Sequence, residues 1–253
     1  MKITFLGTGT SQGVPVIGCE CEVCRSLDYR DKRLRVSVLL DIDGTTIVID
    51  TGPDFRQQML RERVSQLDAV LFTHSHKDHI AGLDDVRAFN FLQERGMPVY
   101  GTQSTLEQIR KEFYYAFESE KYPGTPVLNL RELDGSPFEV SGIRITPLPV
   151  MHLRMPVLGF RIGDFSYITD ANFIPEETFE KLGGTRVLAL NALQKEKHIS
   201  HFTLQEAIAQ GKRVGASETY FTHISHKMGL HKAINEELPT GFALAHDGLV
   251  VTL

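Results

Sequence analysis

The chain has 253 residues, of which 42% are hydrophobic and 23% charged, and its formal net charge is −5. This composition is typical of a folded protein with a substantial core, and it excludes a disordered chain. The acidic balance argues against a dedicated nucleic-acid binder, which usually presents a basic face. No apolar run approaches the ~20 residues that span a bilayer, so we expect no membrane segment. The N-terminus begins with a predicted strand rather than a secretory signal, which favours a cytoplasmic location.

Short runs rich in apolar and β-branched residues predict strands along the whole chain. In chain order they cover residues 2–6, 36–42, 45–50, 69–73, 142–150, 157–162, 166–169, 186–190, 219–222 and 249–253. Asp43-Gly44 and Gly163-Asp164 separate paired runs and therefore predict hairpin turns.

Amphipathic patterns between these strands predict helices over residues 55–63, 83–94, 106–117, 175–182, 204–212 and 231–238. Thr203 and Glu206 form a capping-box pattern before the fifth helix. Because strand clusters and helices mix in both halves, we predict an α+β fold with two packed mixed β-sheets flanked by helices. No repeat or flexible linker divides the chain, so we expect a single domain over residues 1–253, with a helical excursion around 84–134 that leans over a pocket.

A dense group of possible metal ligands follows the strand predicted over residues 69–73. It contains His74, His76, Asp78 and His79. Three imidazoles and a carboxylate suit borderline divalent cations such as zinc, manganese or iron. His74 and His76 are two positions apart, so an extended backbone can project both the same way. Asp78 and His79 come next in the sequence, where a turn of the chain can direct their side chains to a second metal position. An accidental polar loop is a poor alternative for four ligands in this order.

The run His74-Ser75-His76-Lys77-Asp78-His79 matches a His-x-His-x-Asp-His signature, and the sequence therefore resembles the metallo-β-lactamase superfamily. The resemblance implies an αββα sandwich with a dinuclear metal centre at one edge of the sheets. It also implies three further ligands at the ends of predicted strands: His152, Asp170 and His223. Asp50 resembles the aspartate that orients the histidine loop from behind, because ligand imidazoles need a partner on their second nitrogen. A plain turn aspartate is the alternative at Asp50.

The three cysteines of the chain, Cys19, Cys21 and Cys24, form a second group of possible ligands. Such crowded thiols in a reducing compartment indicate metal ligation more than disulfides, and thiolates favour zinc. Structural zinc takes four ligands, so one must come from elsewhere in the chain. His226 is the leading candidate, because the segment 223–226 could send one imidazole to each metal site. A redox pair or small buried residues are the alternatives.

Together with the cysteine cluster, two further segments narrow the resemblance to the PhnP-like branch of the superfamily, the branch of the phosphoribosyl cyclic phosphate phosphodiesterases. They are Gly7-Thr8-Gly9-Thr10-Ser11-Gln12-Gly13-Val14-Pro15 and Thr222-His223-Ile224-Ser225-His226. The similarity runs from residue 3 to the C-terminus and includes Pro239-Thr240-Gly241-Phe242 and Asp247-Gly248. The resemblance implies a phosphodiesterase and a homodimer.

A pair of zinc or manganese ions ~3.5–4 Å apart can lower the pKa of bound water and orient a phosphate. We therefore expect a metal-bridged hydroxide to hydrolyse a small phosphodiester, cyclic or linear, with Asp78 among the catalytic residues. The leaving alkoxide needs a proton, and the imidazoles of the segment 198–203 can supply it. The resemblance favours His201, while His198 could serve instead or help to bind phosphate. A solvated surface histidine is the alternative for either.

Three other functions stay open. A tRNA 3′-processing endonuclease would share the fold and the metal chemistry, but it would normally need an extended basic arm, and the sequence has no lysine-rich insertion. A thioester hydrolase is a second enzymatic alternative. A non-catalytic metal-binding scaffold is the third, and the intact ligand set argues against it. We expect two divalent cations in the active site, one structural zinc, a small phosphodiester as the partner, and neither nucleic acid nor membrane.

Overall fold

The computed structural model describes residues 1–120 and 122–253, whose strands form two seven-stranded sheets. The first sheet contains β1 (Lys2–Gly7), β2 (Ser37–Ile42), β3 (Thr45–Ile49), β4 (Ala69–Leu71), β5 (Met97–Gly101), β6 (Leu128–Glu132) and β14 (Val250–Thr252), in the order β14-β1-β2-β3-β4-β5-β6. The second contains β7 (Phe138–Val140), β8 (Ile143–His152), β9 (Met155–Ile162), β10 (Phe165–Ile168), β11 (Val187–Asn191), β12 (Glu218–Thr222) and β13 (Phe242–Leu244), in the order β13-β12-β11-β10-β9-β8-β7.

Both sheets are mixed, as predicted. In the first, β3, β4, β5 and β6 pair in parallel, and in the second β10, β11, β12 and β13 do the same. Strand β8 points in the same direction as β10, because each pairs antiparallel with β9. Parallel strands end at the same edge of a sheet, so the residues that follow β8, β10 and β12 lie together, and those that follow β3 and β4 do likewise.

Helices cover the outer faces of the two sheets. They are α2 (Phe55–Glu62), α4 (Arg87–Gln93), α5 (Gln103–Glu112), α6 (Glu176–Leu182), α7 (Leu204–Val214) and α8 (His231–Glu237), while the one-turn helices α1 (Glu22–Arg25) and α3 (Lys77–Ile80) lie in the cysteine and histidine loops. The central core lies between the sheets and contains Phe5, Leu40, Ile49, Phe160 and Tyr167, all buried. Separate apolar clusters lie under α2, α4 and α5 on one side and under α6, α7 and α8 on the other. This arrangement is the predicted α+β sandwich with helices on the outside.

Each predicted helix and strand has a counterpart in the structure, but the prediction of a helical excursion over residues 84–134 needs a correction. It contributes β5 and β6 to the first sheet in addition to its helices, so it is not a purely helical excursion. Both strands have only five residues, and β6 alternates apolar and polar residues at the sheet edge, which gives a weak signal. Helix α5 begins earlier than predicted because the Thr102 hydroxyl caps it at Thr105 N–H. The single-domain organisation stays a prediction.

A buried polar network fastens the segment after the cysteines to the C-terminal part of the chain. The Arg33 guanidinium donates to the Thr8 hydroxyl at 2.8 Å and to the Ala245 carbonyl at 2.6 Å. Asp31 accepts the backbone N–H of His231 at 2.7 Å. Because buried charged groups are stable only when hydrogen-bonded, these contacts fix where the cysteine loop leaves the sandwich. In the described ranges, no helix combines the length and the apolar character needed to cross a bilayer.

Candidate metal centre

The histidine-rich loop follows β4 and is held against the loop that follows β3. The Thr51 N–H donates to the His79 carbonyl at 2.7 Å, and the Gly82 N–H donates to the Thr51 carbonyl at 2.8 Å. A side-chain carbon on Gly52 would collide with the Asp78 carbonyl oxygen, and one on Gly82 would collide with the Gly52 carbonyl oxygen. Glycine is therefore required at both positions, and it sets the short distance between the two loops.

Asp50 is fully buried behind the histidine loop. One carboxylate oxygen accepts the Thr73 backbone N–H at 2.9 Å, and the other accepts the Thr73 hydroxyl at 2.8 Å and lies 2.8 Å from His79 Nδ1. Since the Thr73 hydroxyl donates to Asp50, its oxygen accepts from His74 Nδ1 at 3.0 Å. The protons of His74 and His79 are thus held on Nδ1, which leaves both Nε2 lone pairs free to bind a metal.

Asp170 follows β10 of the second sheet and lies close to predicted ligands from both sheets. Its Oδ1 is 3.1 Å from His223 Nε2 and 3.4 Å from His79 Nε2. Asp78 Oδ2 lies 3.3 Å from His79 Nε2 and 3.6 Å from His223 Nε2. One ligand atom from each of these four residues lies within 4.8 Å of the others. The structure therefore brings together side chains from distant parts of the sequence at one point.

A second group shares Asp170 with the first. Ligand atoms of His74, His76 and Asp170 also lie within 4.8 Å of one another, and Asp170 Oδ2 is 3.8 Å from His74 Nε2. The His152 ring centre is 5.3 Å from that of His76 and 5.9 Å from that of His74. His152 Nδ1 donates to the Ser200 carbonyl at 2.8 Å, so its Nε2 is also free for a metal. Ligand atoms of His152, Asp170 and His201 form a third group of this kind, so Asp170 is shared by three adjoining groups that together contain each predicted ligand of the centre.

Three of the strand-end residues share an uncommon backbone conformation. Asp50, Asp170 and His223 have φ angles of 65°, 52° and 56°. This left-handed region is uncommon for residues other than glycine, although Asp and His are enriched there. Each residue turns the chain at the end of a strand, where Asp170 and His223 join the ligand groups and Asp50 contacts His79 from behind. Strain of this kind concentrates at functional sites, where the surrounding structure maintains it.

Several buried imidazole nitrogens around Asp170 have no hydrogen-bond partner. Among the described residues these are His74 Nε2, His79 Nε2 and both ring nitrogens of His223. Buried polar atoms normally have partners, so a group of orphans facing carboxylates needs an explanation. A divalent cation provides one, because neutral imidazole and ionised carboxylate are its usual ligands. The residues present therefore fit a metal centre.

The charges of the centre shift its pKa values in opposite directions. Burial disfavours the ionised form of Asp170, but His223 and His79 hold the pKa of this carboxyl well below its usual range. The pKa of Asp78 is likewise lowered by His79 and His223 against the effect of burial. Burial and the nearby charge of His79 lower the pKa of His74. Asp170, Asp50 and Asp78 raise the pKa of His79 well above its usual range against the effect of burial. Ionised carboxylates and neutral imidazoles are the states that bind metal, so a cation would displace the second proton of His79.

Of the two candidate proton donors, only His201 contacts Asp170. His201 Nε2 lies 3.3 Å from Asp170 Oδ2, and burial lowers the pKa of His201 to about 4 despite the raising effect of Asp170. The His201 and His198 Nδ1 atoms are 3.2 Å apart, so His198 lies against the opposite edge of the His201 ring. Burial, followed by the charge of His152, lowers the pKa of His198. The geometry thus places His201 nearer to the centre than His198.

The structure brings the three cysteines together with His226 in a second cluster. The Sγ atoms of Cys19, Cys21 and Cys24 lie 3.2, 3.3 and 3.6 Å from His226 Nδ1. Zinc–sulfur bonds of ~2.3 Å and zinc–nitrogen bonds of ~2.0–2.1 Å would separate neighbouring ligands by similar distances. The Cys24 backbone N–H donates to Cys21 Sγ and lowers the pKa of that thiol to about 6, while burial raises the pKa of Cys24 to about 11. Three thiols and one imidazole fit a closed zinc site.

Two contributors to the centre are missing from the sequence-based prediction. Thr73 connects Asp50 with His74, and the Ser200 carbonyl orients His152. Thr73 precedes His74 directly, so its position in the motif was a usable signal. The carbonyl contribution of Ser200 carries no signal in residue type, because any residue offers the same atom.

Comparison with known proteins agrees with this geometry. The domain described as "Beta-lactamase superfamily domain" matches residues 45–224. A solved structure described as a new diphosphatase from the PhnP family is 40% identical, with a TM-score of 0.93, and the match covers 99% of this chain and 96% of that one.

Two curated relatives carry other names. A protein named octanoyltransferase from Porphyromonas gingivalis (strain W83) is 43% identical over 252 residues, which cover 98% of this chain and 51% of that protein. The chain therefore spans about half the length of this relative. A ribonuclease Z from Mycobacterium marinum is 27% identical over 257 residues, covering 88% of this chain and 86% of that protein.

Proposed function

Because the chain belongs to the PhnP family of the metallo-β-lactamase superfamily and is a metal-dependent hydrolase, we propose that its substrate is a small phosphodiester, cyclic or linear. The observation that carries this proposal is the group of orphaned, buried imidazole nitrogens facing Asp170. A carboxylate and neutral imidazoles aimed at one point are the ligand set of divalent-metal hydrolases. The 40% identity to a PhnP-family diphosphatase favours a substrate that contains phosphate.

We assign two divalent cations, zinc or manganese, to the centre. His74, His76 and His152 would hold one, and Asp78, His79 and His223 would hold the other, with Asp170 between them. The support for two positions is that Asp170 belongs both to the group of Asp78, His79 and His223 and to the group of His74 and His76. His152, which groups with Asp170 and His201, is assigned to the first ion because its ring centre lies 5.3 Å from that of His76. When bound, such cations lower the pKa of water and neutralise charge on a phosphate.

The protein's own groups supply orientation and a proton. The Asp50 carboxylate and the Thr73 hydroxyl fix the ring planes of His74 and His79 and keep their protons on Nδ1. His201 is our candidate general acid for the leaving oxygen, because its Nε2 faces the centre beside Asp170. His198 contacts the other ring nitrogen of His201, so we assign it the positioning of that ring.

We assign the cysteine cluster to one structural zinc ion. Three thiolates and His226 leave no open position for substrate in a tetrahedral site. The thiol distances to His226 Nδ1, 3.2 to 3.6 Å, support a single shared ion. Cys19, Cys21 and Cys24 would therefore act as ligands and not as nucleophiles.

The test is a substrate panel with metal-reconstituted protein. Cyclic phosphates, linear phosphodiesters with bis-p-nitrophenyl phosphate as reporter, an RNA and an acyl thioester would be compared. We expect turnover of the phosphodiesters, and a fall of more than about 100-fold in Asp78→Ala, since even groups behind the ligands contribute 10–100-fold. Asp41→Ala, an exposed acid on β2, is the matched control and should retain activity. Full turnover by Asp78→Ala would refute the assignment.

Two relatives define the competing reactions in the panel. The ribonuclease Z similarity favours an RNA substrate, but the formal charge of −5 and the lack of a lysine-rich insertion argue against it. The octanoyltransferase similarity favours an acyl substrate, although the chain spans only 51% of that protein. Turnover of RNA or of the thioester without phosphodiester turnover would replace our proposal with the corresponding reaction. The absence of all turnover with the metal sites filled would favour a scaffold.

We keep a cytoplasmic location and a homodimer as proposals. The location would suit the free thiols of the cysteine cluster, which a reducing compartment keeps available for zinc. Light scattering at several protein concentrations would report the oligomeric state directly.

A further inference from the structure

Both candidate proton donors lie in the acid loop, residues 192–203, which connects β11 to α7. This loop lies wholly within the described part of the chain and contains no helix or strand, so its position depends on contacts with neighbouring loops. Two adjacent carbonyls of the loop accept hydrogen bonds from outside it. The Ser200 carbonyl accepts from His152 Nδ1 at 2.8 Å, and the Ile199 carbonyl accepts from the Asn172 side chain at 3.1 Å. We assign the first donor to a cation, whereas the second donor has no role in the centre so far.

The Asn172 side chain connects the acid loop with the turn that follows β8. Its Nδ2 donates to the Ile199 carbonyl, and its Oδ1 accepts the Leu153 N–H at 2.8 Å. A carbonyl needs a donor and an N–H needs an acceptor, so the two contacts fix the orientation of the amide. Leu153 has a φ angle of 57°, which is uncommon for a residue other than glycine. Asn172 thus holds the strained turn directly after His152 at a set separation from the acid loop.

The backbone that carries Asn172 is itself held on both sides. The Asn172 N–H donates to the Met151 carbonyl at 2.9 Å, and the Met151 N–H donates to the Phe173 carbonyl at 3.0 Å. The side chain of Asn191 accepts the Ala171 N–H and donates to the Ala171 carbonyl, both at 2.9 Å. Asn191 is fully buried, where hydrogen bonds are stronger than in water. The Asn172 amide therefore projects from a rigid base.

The same turn contains Asp170, two residues before Asn172. The Ala171 carbonyl accepts the N–H of Phe202, the residue directly after His201, at 2.9 Å. On the other side of His201, Asn172 holds the acid loop. His201 Nε2 lies 3.3 Å from Asp170 Oδ2, between these two attachments. The position of the His201 ring relative to the centre thus depends on two hydrogen bonds that flank it, of which only the one from Asn172 is made by a side chain.

We propose that Asn172 is a positioning residue for proton transfer and that it acts through His201. The inference rests on the proposed function, because it takes His201 as the general acid of diester cleavage. In that cleavage, water adds to the phosphorus, the bond to the leaving oxygen breaks, and this oxygen takes the His201 proton. Proton transfer of this kind needs the two heavy atoms to be ~2.6–3.2 Å apart. Asn172 restricts the movement of the acid loop and so keeps His201 within that reach.

A purely structural role for Asn172 predicts different behaviour. The side chain is half-buried and lies outside the apolar clusters, so its replacement by alanine should leave the core intact. Its two hydrogen-bond partners, Leu153 and Ile199, are not residues that we assign to a cation. We therefore expect Asn172→Ala to retain the wild-type metal content in elemental analysis and to affect only the step that uses the acid. A loss of metal in this variant would overturn the proposal.

The test is a double-mutant cycle of Asn172→Ala and His201→Ala in the metal-reconstituted protein, with two substrates. Glycerol 1,2-cyclic phosphate releases an alkoxide, which needs a proton, whereas bis-p-nitrophenyl phosphate releases p-nitrophenolate, which does not. We expect Asn172→Ala to lower kcat for the cyclic substrate about tenfold or more, with KM unchanged, and kcat for the p-nitrophenyl ester less than about threefold. In the His201→Ala background, Asn172→Ala should cause no further loss. Equal losses with both substrates, or a full additional loss without His201, would overturn the proposal.

Two further variants isolate the contact. Asn172→Asp keeps an acceptor for the Leu153 N–H but has no donor for the Ile199 carbonyl, so it should behave like Asn172→Ala. Wild-type kinetics in Asn172→Asp would overturn the proposal, because the Ile199 contact would then be dispensable. Asn129→Ala, at an exposed asparagine of β6, is the matched control and should retain turnover of both substrates.

Hydrogen exchange tests the same attachment without turnover. We expect the amides of residues 198–201 to exchange about fivefold faster in Asn172→Ala than in the wild type, the effect of losing one neutral hydrogen bond. Unchanged exchange would overturn the inference, whatever the protein cleaves. Faster exchange in the variant, together with a wild type that cleaves no phosphodiester, would confirm that Asn172 holds the acid loop. That result would refute the proposed function and, with it, the role in proton transfer.

Discussion

The chain offers two clusters of metal-binding side chains, and the segment 223–226 connects them by sending His223 to one and His226 to the other. The centre around Asp170 combines imidazoles with carboxylates and is buried except at His76 and Asp78. The cluster around Cys21 combines one imidazole with three thiols, of which Cys21 is exposed and Cys24 is buried. Hard and borderline oxygen and nitrogen donors leave a cation able to take further ligands, while three thiolates and an imidazole complete a tetrahedral zinc site.

The two clusters also differ in what surrounds them. Behind the Asp170 centre, Asp50 and Thr73 fix the ring orientations of His74 and His79. Behind the cysteine cluster the chain supplies mainly local contacts, such as the Cys24 N–H that donates to Cys21 Sγ. The comparison teaches that supporting hydrogen bonds mark the cluster where orientation matters for chemistry. The cysteine cluster, whose supporting contacts are local, would serve to hold a loop.

The largest expected loss of activity comes from a substitution of Asp170. Asp170→Asn removes the carboxylate charge shared by both ligand groups, so we expect more than about a 100-fold loss of phosphodiester turnover, beyond the 10–100-fold typical of groups behind the ligands. The metal content of the cysteine cluster should not change. Turnover and elemental analysis on the same preparation would check both statements, and activity within about tenfold of the wild type would contradict them.

The next effect separates the two histidines beside the centre. His201→Ala should reduce turnover about 10²–10⁴-fold, the contribution of a general acid. His198→Ala should cost less than His201→Ala, because His198 contacts only the far nitrogen of the His201 ring. A substrate with a better leaving group should narrow the His201→Ala deficit, since it needs less protonation. Equal losses in the two variants, independent of leaving group, would argue against His201 as the acid.

The smallest effect on activity is expected from a substitution in the cysteine cluster. Cys24→Ser should lower stability by about 2 kcal/mol or more, which corresponds to roughly 4–8 °C in Tm for a chain of this size. Turnover per folded molecule should change little, because Cys24 is not in contact with the Asp170 centre. Thermal melting and kinetics below the transition would measure the two. Glu20→Ala, an exposed residue of the same loop, is the control. A variant as stable as the wild type but inactive would reverse the roles of the two clusters.

Much of this arrangement was predictable from the sequence, because the ligands lie in compact motifs or directly after apolar runs. The strand β3 is rich in β-branched residues, and β10 and β12 combine aromatic with β-branched residues, so residue type places Asp50, Asp170 and His223 at strand ends. The short edge strand β6 could not be recognised in this way. Its alternating pattern covers only five residues, and its pairing with β5 depends on contacts across the chain.

Contacts made by backbone atoms also could not be predicted from the sequence. The Ser200 carbonyl orients His152, and the Phe202 N–H connects the acid loop to the Ala171 carbonyl. Such contacts depend on where two loops meet and not on residue type, since each residue other than proline offers the same donor and acceptor. Residue types therefore determine the chemistry of the site, whereas the fold determines how its side chains are oriented.

The central claim is that strand ends of both sheets gather a divalent-metal centre around Asp170. The most direct measurement is an anomalous difference map at the zinc edge from crystals of catalytically active protein. We predict peaks about 2.0–2.3 Å from ligand atoms of His74, Asp78 and Asp170, and a separate peak among the three thiols. A map with density at the thiols alone, from protein that still hydrolyses phosphodiesters, would contradict the account.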